Sequence, residues 1–218
     1  MWSSEVTNMI ITGIWETLYM TLVSTLVGYV IGLPMGIILT VSDKDGIKPN
    51  AVLYKILDVI ANIVRSVPFI ILLVLLIPFT RLVVGKSYGS TATIVPLVIA
   101  AAPYIARMVE SSLKEVDAGV IEAARSMGAS NFTIITKVML VEARTSLLVG
   151  ATITLGTILG YSAMSGAVGG GGLGAIAIRY GYTRWQTDIM IVTVILLIIL
   201  LLMRNYIYSD ALMILFLI

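Results

Sequence analysis

The chain has neither cysteine nor histidine among its 218 residues, and only 12% of it is Asp, Glu, Lys or Arg. Without cysteine there is no disulfide and no thiolate-held metal; without histidine there is no imidazole ligand or imidazole base. Chemistry that relies on a Ser–His or Cys–His pair is therefore excluded. The few charges nearly balance, at a net +2, so nothing in them points to a nucleic-acid partner.

What the chain has instead is apolar surface. Hydrophobic residues make up 59% of it, above the roughly 45–50% of a soluble domain, and the mean hydropathy is +1.04. Apolar runs near the length a helix needs to cross about 30 Å of hydrocarbon recur along it. The predicted class is all-α: a polytopic membrane helical bundle in contact with lipid, forming one domain over residues 1–218. Five spans are expected, at about 14–39, 57–79, 91–108, 147–164 and 188–203. Residues 1–12 hold Glu5 and no Lys or Arg, so the basic start of a cleavable signal peptide is not expected.

Basic residues in the connections set the expected orientation. Lys44, Lys48, Lys55, Arg107, Lys114, Arg125, Lys137, Arg144 and Arg204 fall on one side. Arg81, Lys86, Arg179 and Arg184 fall on the other. The positive-inside rule makes the first side cytoplasmic, with the N-terminus outside and the C-terminus inside.

Within the spans, Gly28, Gly32 and Gly36 recur every four residues and so share one helix face. Small residues at this spacing let membrane helices approach closely, which predicts a packing face; Pro34 between them predicts a kink. Arg65 enters the second span, with Asp58 seven residues earlier as a possible ion-pair partner, while Arg107 and Glu110 are spaced to pair across one turn. Residues 160–174, rich in glycine, are expected to break the helix and form either a hinge at the outer end of a path or a plain outer loop.

The longest polar insert, about 111–144, reads as helix, turn, helix. Asp117 is a good N-cap, residues 118–127 suit a helix, and Gly128 suits the left-handed position that closes it. Ser130 caps the next helix, expected over about 131–140. Val120, Ala123, Ala124 and Met127 form an apolar face with Glu122 and Arg125 off it. So short a helix needs something to pack on, either a soluble partner or its own bundle.

Three local matches mislead. Gly85-Lys86-Ser87 lacks the leading glycine of a P-loop, the glycine pattern at 169–174 has no βαβ unit around it, and Gly160-x-Ser162 has no histidine base.

Glu122-Ala123-Ala124 followed by Gly128 resembles the EAA loop of permease subunits of binding-protein-dependent ABC importers. The second half of that pattern ends in Ile-x-Leu-Pro, and here reads Val138-Met139-Leu140-Val141, without the proline. Longer strings narrow the resemblance to methionine importer permeases. These are Phe69-Ile70-Ile71-Leu72-Leu73, Ile77-Pro78-Phe79-Thr80-Arg81, Ile105-Ala106-Arg107-Met108-Val109-Glu110 and Gly160-Tyr161-Ser162-Ala163-Met164. A departure is the tail, where residues 211–218 are all apolar.

The resemblance implies a type I importer permease in a bacterial cytoplasmic membrane, with a cytoplasmic coupling-helix hairpin and no catalytic site of its own. It implies a second copy of the chain, two copies of an ATPase that bind ATP and magnesium, and a substrate-binding protein or lipoprotein delivering methionine. Glu122, Ala123, Ala124 and Gly128, with Val120 and Met127, would couple to the ATPase. Tyr161, Ser162, Met164 and Ser165 would line the path between protomers. A permease for another small solute is the alternative within this class. An ion-coupled secondary transporter is a more distant one, since such proteins carry ionisable residues at mid-membrane and this chain has few.

Overall fold

The structure, a computed structural model, describes the backbone of residues 4–217 and the side chains of residues 4–203. Helix α1 (Ser4–Ser42) is followed by α2 (Ala51–Ser66), α3 (Phe69–Leu75) and α4 (Ile77–Val84), then by α5 (Ser90–Lys114). The polar insert holds α6 (Ala118–Ser126) and a second helical stretch made of α7 (Asn131–Thr133), a π-helical segment Ile134–Met139 and α8 (Leu140–Glu142). Helix α9 (Arg144–Ser165), the short α10 (Gly172–Ile176), a π-helical segment Ala177–Tyr182 and α11 (Thr187–Leu217) complete the chain.

Among the described residues, three helical stretches are long and apolar enough to cross a membrane by themselves: Ser4–Ser42, Ser90–Lys114 and Arg144–Tyr182, the last taken through its short breaks. The expected second span is not one straight helix. Val67 precedes Pro68, which excludes it from helical geometry; it is extended at φ −82°, ψ 125°, and α2 and α3 meet at 101°. The fifth expected span is the shorter apolar helix Thr187–Met203 within α11. Pro34 lies inside α1 without ending it. The side chains of Arg204 and of the apolar tail at 211–218 lie outside the described residues.

The glycine stripe packs against α5. A Cβ at Gly32 would stand 2.6 Å from the carbonyl oxygen of Ala102, and one at Gly36 would stand 2.6 Å from that of Ala106. A Cβ at Gly28 would meet side chains instead, 2.9 Å from Ile105 Cδ1 and 3.1 Å from Ala101 Cβ. Two helices thus touch along their backbones, and only a residue without a side chain permits it. Buried threonines on the spans bond to their own helix: Thr17, Thr25, Thr40 and Thr154 each donate to the carbonyl four residues back, at 2.7–3.0 Å. This satisfies hydroxyls where water is absent.

The main core runs from Met20 of α1 through Leu97, Ala101, Ile105 and Val109 of α5 to Ile158 of α9, and ends on Ala124, Ile134 and Met139 of the polar insert. The bundle and the insert therefore share one core.

The expected break at 160–174 is later and tighter than its composition suggests. Helix α9 continues through Gly160 to Ser165, and the break is confined to the backbone around Gly169–Gly171. Gly170 is buried there, and the segment is tied to its neighbours. A Cβ at Gly174 would lie 2.1 Å from the carbonyl of Ala163, and the Glu16 carboxylate accepts a 2.6 Å bond from the N–H of Gly172. Thr17 accepts from Leu173 N–H at 2.9 Å, and Thr93 donates to the Gly170 carbonyl at 3.2 Å. The broken backbone is tolerated because α1 and α5 supply the partners it would otherwise take from water.

Candidate functional site

The hairpin of the polar insert forms as its caps dictate. Asp117 accepts a 2.7 Å bond from Gly119 N–H to open α6, and Gly128 takes the left-handed φ of +81° to close it. The Ser130 hydroxyl accepts from Thr133 N–H at 3.2 Å and starts the second arm. That arm passes into a π-helical segment, a form that wastes backbone bonding and gathers at functional sites. It ends at Ala143, whose ψ of 0° breaks the helix, so the chain turns into α9 without the missing proline.

Helix α6 has two apolar sides, not one. Ala124 is buried and Ile121 packs beside it on the main core, so Ala124 does not belong to the outward face expected for it. Val120, Ala123, Met127, Glu122 and Gly128 remain outward. Met127 is 82% exposed, and Phe132, on the second arm, is 75% exposed. Phe132 was not singled out from the sequence; the signal it carries is an aromatic ring two residues past a capping serine, in a segment otherwise polar on its outer side. The hairpin is thus held by its inner side and leaves the apolar side chains of Val120, Met127 and Phe132 exposed.

A charge network ties the bundle together above it. Arg107 bonds Glu110 at 2.7 Å, as its spacing predicts, and also pairs with Asp58 and Asn62 of α2. Asp58 is therefore the partner of Arg107 and not of Arg65, which instead lies over the Tyr104 ring at 5.8 Å. Glu110 is buried and accepts from Lys114 at 2.8 Å and from the Tyr54 hydroxyl at 3.3 Å. Lys114 reaches on to Asp43 at 2.7 Å, and this hydrogen bond holds the Asp43 carboxyl below the usual carboxylate range.

The four residues expected to line a path separate into two kinds. Met164 is 53% exposed, and the Tyr161 ring lies flat on Phe69 of α3 with centroids 4.4 Å apart. Ser162 and Ser165 are buried, and their hydroxyls donate to the carbonyls of Leu159 and Ser162 at 2.8 and 2.6 Å. Those two hydroxyls are spent on their own helix. Gly85, in the P-loop-like string, is the left-handed cap of α4 at φ +78°.

Residues 28–210 match the family of binding-protein-dependent transport system inner membrane components. The chain belongs to that family. It is 48% identical over 195 residues to a probable D-methionine transport system permease protein MetI of Vibrio cholerae, covering 89% of this chain and 87% of the relative. It is 53% identical over 158 residues to the D-methionine transport system permease protein MetI of Escherichia coli, covering 72% and 73%. Among solved structures it resembles a chain of the MetNI methionine ABC transporter in an inward-facing conformation. The TM-score is 0.94 at 50% identity, over 96% of this chain and 97% of that one. An amino acid ABC transporter shares the fold at a TM-score of 0.77 and 23% identity. The permease is thus a multi-pass membrane protein, and its hairpin is the part that carries the EAA pattern.

Proposed function

We propose that this permease is the membrane half of an ATP-driven importer that carries methionine into the cell. Two copies form the path, and two copies of an ATPase dock on the hairpin and hold the ATP and magnesium. A binding protein or lipoprotein delivers substrate from outside. The observation that carries this reading is the hairpin itself, a capped helix seated on the core through Ala124 with Val120, Met127 and Phe132 left exposed. A bundle that has no use for a soluble partner would turn those side chains inward.

Residues 111–144 are the coupling region of a single domain. The excess of basic residues on one side of the connections supports a hairpin in the cytoplasm of a bacterium, with the N-terminus outside and the C-terminus inside. Movement of the ATPase is passed to α5 and α9, which enter and leave the hairpin, and through them to the exposed Met164 and the Tyr161–Phe69 stack at the path. Reconstitution with the ATPase and binding protein tests the reading. ATP-dependent uptake of labelled methionine, competed by unlabelled methionine and not by other amino acids, is the expected result. Uptake driven by an ion gradient without ATP would contradict it.

A further inference from the structure

Arg125 lies on α6 away from the exposed apolar edge, and its guanidinium crosses the hairpin to the loop between α1 and α2. Its Nη2 donates to the Ile47 carbonyl at 3.1 Å. That loop is a compact unit. Gly46 N–H bonds the Asp43 carbonyl at 3.0 Å, Lys48 N–H the Val41 carbonyl at 3.0 Å, and Asn50 N–H the Ser42 carbonyl at 2.9 Å. A Cβ at Gly46 would lie 2.4 Å from the Val41 oxygen, so the loop closes on the last turn of α1. Its far end is equally fixed, because the Asn50 side chain caps α2 by accepting from Leu53 N–H at 3.1 Å. From the loop, Asp43 reaches Lys114 of α5, and the network continues through Glu110 and Arg107 to Asp58 on α2.

Resting on the coupling reading above, we propose that Arg125 is a positioning residue that makes the α1–α2 loop a second strut. The loop then moves with the coupling helix and carries the end of α1 and the start of α2 along. Covalent connection already links the hairpin to α5 and α9, whereas α1 and the loop after it reach the hairpin through apolar packing. The guanidinium adds a directional hydrogen bond to that packing, and the Asp43–Lys114 pair closes the frame on α5. A displacement of α6 then turns four helices together.

The chain has no cysteine, so spin labels can be placed alone on Asp45→Cys and Ser126→Cys, both at exposed positions. The complex with its ATPase is prepared with Arg125 intact, as Arg125→Ala and as Arg125→Lys. With Arg125 intact, the distance between labels stays the same with and without nucleotide. In Arg125→Ala the distance changes with nucleotide, the ATPase stays bound and turns over, and methionine moved per ATP falls about fivefold or more, the lower end of usual coupling. Arg125→Lys restores part of it, and Asp43→Asn lowers transport per ATP in the same direction. An Arg125→Ala complex with an invariant distance and unchanged transport per ATP would overturn the strut alone. Loss of the ATPase from that variant would make Arg125 a docking contact and overturn it too. Absence of ATPase from the unaltered complex would overturn the coupling reading and the strut together.

Discussion

At the scale of single residues, glycine does two different jobs here, and a methyl group separates them. Gly32 is helical and faces the Ala102 backbone at a distance no Cβ tolerates, so Gly32→Ala must push α1 off α5. The expected cost is about 1–3 kcal/mol, typical of overpacking, read as a lower melting temperature in detergent. Gly128 has open space around it, and its constraint is φ +81° alone. Gly128→Ala should cost about 1–2 kcal/mol at the end of α6 and lower transport per ATP, with the melting temperature of the spans nearly unchanged. Equal loss of bundle stability in both variants would contradict this division.

At the scale of elements, the hairpin was legible because its signals are local. Asp117, Gly128 and Ser130 each need only their own neighbours to cap or close a helix, and all three do so in the structure. The stripe of Gly28, Gly32 and Gly36 was legible as a face, but its partner α5 was not, because spacing on one helix says nothing of the helix opposite. The Asp58 partner was missed for the same reason: sequence distance favoured Arg65, whereas the bend at Val67 and the lie of α2 on α5 bring Arg107 to it. Likewise a serine in a span has two outlets, a path or its own backbone, and only the structure assigns Ser162 and Ser165 to the second. The outward edge of the hairpin yields a prediction at this scale. Phe132→Asp and Met127→Asp should each weaken ATPase binding by about 2 kcal/mol, the threshold of an interface hot spot, or roughly thirtyfold in Kd. Since both side chains are exposed, the melting temperature of the isolated permease should hold. Unchanged ATPase affinity in the Phe132 and Met127 variants would move the docking surface elsewhere.

At the scale of the whole molecule, the charge network and the shared core explain how a soluble event could reach the membrane. Ala124, Ile134 and Met139 of the hairpin belong to the same apolar cluster as Leu97 and Ile158 of the spans, so the hairpin does not move as a loose appendage. Glu110, buried between Arg107 and Lys114, links α5 to α2 on one side and to the end of α1 on the other. Under the proposed function, the fold acts as one lever whose short arm is the hairpin. That account stands or falls on a partner for the short arm. The most direct test is the native mass of the permease purified in mild detergent after co-expression with a methionine-type ABC ATPase. The account predicts a particle of two permeases and two ATPases that loses the ATPases on Phe132→Asp. A permease that purifies alone, or a complex indifferent to that substitution, would contradict it.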